Sequence, residues 1–287
     1  MQNSGNYHKL DGVGIPEKLQ VIDGAPKKLF YVGKDPNDIL SEPSVAMVGT
    51  RKPTPYGKEV THNITSELAK LGVVIVSGLA LGVDTIAHRA CLEAKGKTIA
   101  VLPCGPDKVY PATHREDAKR IVQQGSTLLT EYPPDTPPLR QNFIARNRLV
   151  SGLGDVVIVT EAAEKSGTLH TANFALNQSK TVMAVPGQIN SALSKGTNNL
   201  IKAGAIPITS VDDIIFELGL SKTQNKLFEP QNPQEKVVID LLTQGVNDGH
   251  ELLIKSGLQT AEFNETLTLL EINGQIKPMG SNVWTLG

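Results

Sequence analysis

Short apolar runs alternate with amphipathic segments through most of the chain, starting at Ser44. Each run is short, largely apolar and bounded by glycine, proline or polar residues, which predicts buried strands. The runs are SVAMVGT, VVIVSG, TIAVLPCG, STLLTEY, DVVIVTEA, TVMAVPG and AIPIT. Segments between them, such as YGKEVTHNITSELAKLG and VDTIAHRACLEAKG, have helical spacing and end at glycine. Repeated strand–helix units predict an α/β fold, a parallel sheet with helices on both faces.

The pattern divides the chain into four segments. Residues 1–43 are predicted to form an irregular N-terminal extension that packs on the core, and residues 44–220 are predicted to form the α/β domain. Residues 221–232 are polar and contain prolines, which is typical of a linker. Residues 233–287 predict three helices and a hairpin, the outline of a small winged helix-turn-helix domain.

Composition excludes several classes of protein. No apolar run is long enough to cross a bilayer, and the N-terminal residues lack an apolar signal core, so no membrane association is expected. The two cysteines, Cys91 and Cys104, lack metal-type spacing. They favour a reducing, cytoplasmic setting without disulfides or zinc.

The charge is unevenly distributed along a chain whose net charge is −1. From Lys226 onward there are four lysines, no arginine and eight acidic residues, so this part carries −4 and the rest +3. A site for a polyanion is therefore expected in the first part of the chain.

The predicted strand ends are rich in Gly, Ser and Thr, as in VGTRKPTPYG, VSGLALGVDT and EAAEKSGTLHTA. In a doubly wound sheet, ligands bind at this edge, where helix N-termini and glycine backbone accept anions. Six such loops favour an anion-binding cleft, with Arg51 projecting over it to grip phosphate. The alternative is that these loops need glycine and caps anyway, and that Arg51 is a solvated arginine.

Motifs of enzymatic catalysis are not found. GKT at 96–98 is not a Walker A motif, because Cys91 stands where glycine is required and a strand follows instead of a helix. No GxSxG or HExxH motif occurs. His88 and His170 lie in predicted helices and are expected to be packed or capping residues. Glu131 and Glu161 end strands and form a carboxylate pair only if the fold brings them together.

The segment PLRQNFIARNRLVSG, 137–152 with its preceding proline, concentrates three arginines around one aromatic residue. Its first turn faces the cleft, and helical spacing places Phe143, Arg146 and Asn147 on one side, with Arg148 rotated away. An aromatic ring among guanidinium groups suits single-stranded nucleic acid. The alternative is that Phe143 is a core residue and that the arginines pair with neighbouring acids such as Glu131 and Glu161, which is expected for one of Arg146 and Arg148.

Together these motifs resemble the DNA-processing protein A family (DprA/Smf) over roughly residues 25–216. The motifs are VGTR, VSGLALGVDTIAHRACLEAKGKTIAVLPCG, VYP, LLTEYPP, NFIARNRLVSGL, SGTLHTANFAL, VPG and KGTNNLIKAGA. The resemblance implies an extended Rossmann-like fold that binds single-stranded DNA, protects incoming DNA and forms a homodimer. It also implies loading of the RecA recombinase in natural transformation, with no catalysis and no cofactor.

The resemblance also assigns roles to residues. The predicted DNA-binding set is Gly49, Thr50, Arg51, Ser77, Gly78, Arg140, Phe143, Arg146, Asn147, Arg148, Gly167 and Thr168. In this assignment Arg140 binds the backbone, Phe143 a base and Asn147 local polar groups. The dimer region matches NNLIKAGAI, where the predicted exposed apolar residues are Leu200, Ile201 and Ile206.

The C-terminal helices predict a different role for the last domain. Winged helices that read DNA carry Lys and Arg on the second helix of the motif, whereas QTAEFNETLTLLEING has neither. This domain is expected to contact protein or regulate the cleft, and not to bind duplex DNA.

Two other functions of the whole protein stay open. One is a nucleotide phosphoribohydrolase, although the PGGxGTxxE motif of those enzymes is split here and lacks the glutamate. The other is a regulatory scaffold that acts through the winged helix.

Overall fold

The computed structural model describes residues 7–220, 232–273 and 275–286. The chain forms two compact units, Met1–Ser221 and Lys222–Gly287. The strands of the larger unit are β1 (His8–Asp11), β2 (Lys28–Gly33), β3 (Ser44–Val48), β4 (Val74–Ser77), β5 (Thr98–Val101), β6 (Thr127–Thr130), β7 (Val156–Val159), β8 (Thr181–Ala184) and β9 (Ile206–Pro207).

Helices connect and cover these strands. They are α1 (Glu17–Gln20), α2 (Pro36–Ile39), α3 (Pro55–Lys70), α4 (Val83–Glu93), α5 (Arg115–Gln123), α6 (Arg140–Leu153), α7 (Thr168–Asn177), α8 (Lys195–Lys202) and α9 (Val211–Glu217). Two short 3₁₀ turns, Gly12–Gly14 and Ala112–His114, precede α1 and α5. The helix α9 was not predicted from the sequence.

The nine strands form one sheet in the order β1-β2-β6-β5-β4-β3-β7-β8-β9. All neighbours from β6 to β9 run parallel, which confirms the predicted α/β class, while β1, β2 and β6 pair antiparallel. The chain first moves from β3 through β4 and β5 to β6, then crosses along α6 to β7 on the other side of β3. The direction of winding therefore reverses at β3 and β7.

Alternate side chains of the central strand enter two separate apolar cores. Ala46 and Val48 join one cluster, and Val45 and Met47 join the other. Successive strand residues point to opposite faces, so a strand covered on both sides needs apolar residues at every position. This explains why SVAMV is almost continuously apolar and completely buried.

The first 43 residues differ from the prediction of an irregular extension. The strands β1 and β2 continue the main sheet through the pairing of β2 with β6. The run KKLFYVG contributes Leu29 and Tyr31 to the core, while Lys28 at the start of β2 is exposed. Antiparallel strands at the edge of a sheet can expose one face to solvent, so fewer of their residues are apolar than in a strand buried on both faces. For this reason the sequence pattern did not reveal β1 and β2.

The smaller unit contains the three predicted helices and the hairpin. They are α10 (Pro233–Thr243), α11 (Gly249–Ser256), α12 (Thr260–Ile272), β10 (Ile276–Gly280) and β11 (Val283–Leu286). Val238, Leu252, Phe263 and Leu270 form its own core. The helix α12 carries no lysine or arginine. The predicted linker 221–232 lies outside the described residues except for its last position.

No helix in the described parts of the chain is both long and apolar enough to cross a membrane.

Candidate functional site

A cavity of about 750 Å³ opens above the carboxyl ends of β3, β4 and β7. It is lined by the loops that follow these strands and by the first turns of α6 and α7. This is the point where the winding of the sheet reverses, so the loops from adjacent strands separate and leave a crevice. The position of the cavity is the one that the strand-end loops predicted.

Three glycines let the loops at this edge approach one another. A Cβ atom at Gly49 would lie 2.5 Å from Val83 Cγ2, and one at Gly78 would overlap the Arg146 guanidinium. A Cβ at Gly82, whose φ is +81°, would overlap the Thr50 carbonyl oxygen. Side chains at these positions would displace the Val83 side chain, a buried cation or backbone, so packing alone already requires glycine here. Their presence in the sequence is thus explained without a ligand.

Arg146 and Asp84 form the floor of the cavity. The Arg146 side chain is buried, and its Nη1 donates to the Val101 carbonyl. One carboxylate oxygen of Asp84 accepts from the backbone N–H groups of Gly78 at 3.1 Å and Ala80 at 3.3 Å. Burial raises the pKa of Asp84, and the nearby Arg146 charge opposes this rise. The two charges therefore stabilise each other and hold the loop after β4 in place.

Arg148 turns away from the cavity. Its Nη2 lies 2.6 Å from Glu131 Oε2, and both side chains are largely buried. Gln178 donates to the Arg148 backbone carbonyl, which ties α6 to the end of α7. The predicted alternative, that an arginine of this helix pairs with Glu131, is observed for Arg148, and this pair braces α6.

The rim of the cavity carries an aromatic and cationic cluster. The Arg51 guanidinium carbon lies 5.7 Å from the ring centroid of Phe143, within the range of a cation–π contact. Tyr110 meets Phe143 edge to face, with ring centroids 5.3 Å apart. Arg140 is exposed at the first residue of α6. Neither Arg51 nor Arg140 has a carboxylate partner in the described part of the chain, so both charges are available to a ligand.

The first turn of α7 forms the opposite wall. Gly167 at its N-cap has open space where a Cβ would stand, and the Thr168 backbone N–H donates to the Ser166 hydroxyl at 3.2 Å. Thr168 Oγ1 donates to the Gly49 carbonyl at 2.9 Å, which fixes this turn beside the loop after β3. Backbone N–H groups at a helix start attract anions. The next two N–H groups of α7 donate to backbone carbonyls, so this turn contributes the positive end of the helix dipole to the cavity.

Nine of the twelve predicted DNA-binding residues line the cavity. They are Gly49, Arg51, Gly78, Arg140, Phe143, Arg146, Asn147, Gly167 and Thr168. The other three predicted positions differ. The Ser77 hydroxyl is buried and donates to the Met47 carbonyl, Thr50 bonds through its backbone to the chain at Glu161 and Val83, and Arg148 is paired as described.

Several residues that line the cavity were not predicted. Tyr110 follows β5 in the VYP motif, and this motif together with its position after a strand end was the available signal. His170, predicted to be packed or capping, is exposed on the cavity wall. His88 does pack: its Nδ1 lies 2.7 Å from Thr98 Oγ1, and burial lowers its pKa to about 3.

The two candidate catalytic carboxylates have separate structural partners. Glu131 pairs with Arg148, whereas Glu161 accepts hydrogen bonds from the backbone N–H and hydroxyl of Thr54 at the start of α3. Both groups are therefore engaged in holding helices. Across residues 7–220, 232–273 and 275–286, no three His, Cys, Asp or Glu side chains are grouped to hold a metal ion.

The predicted dimer residues differ in exposure. Leu200 is half-buried and packs against the main core. Ile201 is also half-buried, so neither is the exposed apolar residue that the sequence suggested. Ile206 on the edge strand β9 is 37% exposed, as predicted.

Fold and site define a Rossmann-like α/β protein with an arginine-lined cleft at the reversal point of its sheet. The chain belongs to the DNA recombination-mediator protein A family, whose model matches residues 9–219.

Curated relatives support the same family. DNA processing protein DprA of Bacillus subtilis is 42% identical over 203 residues, which cover 71% of this chain and 68% of the relative. Protein Smf of Escherichia coli is 37% identical over 251 residues, which cover 85% of this chain and 67% of the relative.

Two solved structures are similar in fold. DNA processing protein A of Helicobacter pylori, described with a unique single-stranded DNA binding mode, has a TM-score of 0.68 at 40% identity. That match covers 76% of this chain and 98% of the other. DprA of Streptococcus pneumoniae has a TM-score of 0.69 at 39% identity and covers 74% of each chain.

Proposed function

We propose that this protein binds single-stranded DNA in the cleft above β3, β4 and β7. The observation that carries the proposal is the rim cluster, in which Arg51 lies over Phe143 and Tyr110 meets the same ring. Aromatic rings beside unpaired cations form the usual surface for single strands, because every base has a face that stacks. The binding mode described for the Helicobacter pylori relative supports the same ligand.

Different residues of the cleft are proposed to bind the DNA backbone and the DNA bases. Arg51 binds a phosphate group, the positive end of the α7 dipole favours the same negative charge, and Arg140 extends the positive rim. Phe143 offers its ring to a base, and Asn147 offers polar contacts beside it. Arg146 lines the floor but is already bonded to Val101, so its charge acts on the strand from below without leaving its partners.

We infer a binding role without catalysis. The acidic group in the cleft, Asp84, accepts two backbone hydrogen bonds and balances Arg146, which leaves it engaged as a structural carboxylate. Glu131 and Glu161 are likewise held by Arg148 and Thr54. These contacts support a site that holds a strand and releases it unchanged.

The proposal extends to the later steps that the family's description suggests. A recombination mediator delivers the bound strand to a recombinase, which we propose to be RecA. We also propose that the protein protects incoming DNA in the cytoplasm during transformation or other DNA processing.

A homodimer through the Ile201 and Ile206 edge would place two clefts in one particle. The C-terminal unit, with no basic residue on α12, is assigned to protein contacts.

Binding to oligo(dT) and to a duplex of equal length tests the ligand. We expect tighter binding of the single strand, with affinity that falls as salt rises because counterions are released from phosphates. Fluorescence anisotropy across a salt series measures both. The proposal is wrong if the duplex binds as tightly as oligo(dT), or if the affinity is independent of salt.

Ile201→Arg is expected to convert a dimer into a monomer. Ile201 is half-buried beside the edge strand, so an arginine there keeps the fold but places a charge in the proposed interface. Leu200 is unsuitable for this purpose because it packs on the core. Light scattering after gel filtration gives the mass. The control, Ile189→Arg, alters a residue that is already 91% exposed and should stay dimeric. An unchanged dimer mass for Ile201→Arg contradicts the interface.

A further inference from the structure

A second cavity of about 870 Å³ lies next to the cleft. Tyr110 and Pro138 line both cavities, so they form the ridge between them. From this ridge the second cavity extends over α5 and towards β2 and β6. Apart from Tyr110 and Pro138, the residues that line the second cavity are not the ones that line the cleft, and none of the predicted DNA-binding residues is among them.

We propose that this cavity is a second nucleotide site for the same DNA strand, which crosses the ridge after leaving the cleft. The inference rests on the proposed function, since it requires a strand in the first cleft. Its ligand class is an unpaired nucleobase together with one adjoining phosphate.

The ridge offers the strand a second aromatic surface. Tyr110 is 47% exposed, and its ring centroid is 5.3 Å from that of Phe143 in the cleft. A strand with one base on Phe143 therefore meets another ring immediately beyond it. Successive aromatic rings along a path are how single strands are held without regard to sequence.

Two loops bonded to each other hold the ridge in place. The Asp135 backbone N–H donates to Asp107 Oδ1 at 2.9 Å, and Gly105 N–H donates to the Thr136 carbonyl at 3.0 Å. Lys108 Nζ also donates to the Asp135 carbonyl. The loop that carries Tyr110 and the loop that leads to Pro138 thus form one rigid wall, which is ready to bind before a ligand arrives.

The interior of the second cavity suits a base. Val32, Val109 and Val122 are partly buried against the core cluster below, so their outer surfaces give the cavity an apolar lining. Tyr7, which is 40% exposed, stands at the far side. Apolar and aromatic walls with a few polar groups are typical of small-molecule sites.

Among the described residues that line this cavity, one cation is left without a carboxylate partner. Lys119 lies 2.6 Å from Glu116, and Lys108 lies 3.9 Å from Asp107. Arg115 is exposed at the first residue of α5 and has no carboxylate partner among residues 7–220. A single unpaired guanidinium matches one phosphate of the strand.

Arg115→Gln is the discriminating variant, because Arg115 is exposed and lines the second cavity but not the first. We expect wild-type affinity for oligo(dT) too short to cross the ridge. For longer oligo(dT) we expect weaker binding, with the slope of log affinity against log salt reduced by about 0.7, one single-strand phosphate. Anisotropy over a graded series of oligo(dT) lengths measures both. The matched control is Arg120→Gln, on the same helix but outside the cavity, which should behave as wild type.

Arg51→Gln separates this inference from the proposed function. If Arg51→Gln weakens binding at every length while Arg115→Gln matches Arg120→Gln at every length, the cleft binds DNA and the second site is wrong. If neither variant changes binding at any length, both proposals fail. Oligo(dT) carrying photoreactive 5-iodouracil gives a direct readout from the full chain. Crosslinks to residues 115–123, which line the second cavity but not the cleft, support the second site, and crosslinks confined to other peptides overturn it.

Discussion

Replacing Arg146 by methionine is expected to lower the free energy of unfolding by about 3 kcal/mol, near the lower end for leaving a buried charge without its compensating charge. Arg146 is 3% exposed and Asp84 is 8% exposed, so water cannot replace the lost cation beside the remaining carboxylate. Methionine also cannot donate to the Val101 carbonyl. Urea unfolding at neutral pH measures the change.

The loss from Arg146→Met should depend on pH. Burial raises the pKa of Asp84 above its usual value, and Arg146 limits that rise. Without Arg146 the pKa of Asp84 rises further, because only the charged carboxylate needs the cation. The difference therefore shrinks as the pH falls through the raised pKa of Asp84, because the acid then becomes protonated in both proteins, and it grows as the pH rises.

Two further variants make this prediction specific. Arg140→Met changes an exposed arginine on the same helix and should leave stability unchanged. The double variant Arg146→Met with Asp84→Asn should recover part of the loss. The amide oxygen that Asp84→Asn introduces can still accept from the Gly78 and Ala80 N–H groups, and it carries no charge. Equal stability of Arg146→Met and Arg140→Met would show that the buried charge pair does not support the cleft.

Phe143→Ala is expected to weaken oligo(dT) binding by about 1–3 kcal/mol, the usual contribution of one stacked base. The ring contacts both the Arg51 guanidinium and Tyr110, and its removal takes away both the stacking surface and the support of Arg51. Phe143 is half-buried at the rim, so the fold should persist. Anisotropy titrations of wild type and variant give the difference.

An abasic strand is the matched substrate control for Phe143→Ala. Without bases there is nothing to stack, so the variant and wild type should bind an abasic oligonucleotide almost equally. Phe143→Tyr keeps a ring and should bind oligo(dT) like wild type. A loss that is equally large on the abasic strand would mean that the ring only positions Arg51 and does not contact a base.

The arginines of α6 show which features of the site could be predicted from the sequence and which could not. Helical spacing correctly placed Phe143, Arg146 and Asn147 on the cavity side and Arg148 away from it. The sequence offered Glu131 and Glu161 as partners but could not say which arginine pairs with which group, because Val101 lies 45 positions before Arg146 and Glu131 lies 17 before Arg148. Such contacts depend on which strands become neighbours, and local periodicity contains no information on that.

For the glycines at the strand ends, the sequence predicted the place of the cleft but not the reason for each glycine. The sequence showed that the loops after the strands are rich in glycine and predicted a cleft at that edge. The structure shows that Gly49, Gly78 and Gly82 are required by close packing, whereas Gly167 leaves open space. Only the neighbouring loops in three dimensions separate a glycine that permits packing from one that leaves room for a ligand.

Sequence alone determined the α/β class, the strand-end location of the site and the smaller helical unit, because these follow from the spacing of apolar residues within single elements. The tertiary structure decided that β1 and β2 extend the sheet, that Arg146 and Asp84 neutralise each other in the floor, and that Tyr110 stands between two cavities. Each of these depends on contacts between segments distant in the chain, and strand order fixes those contacts.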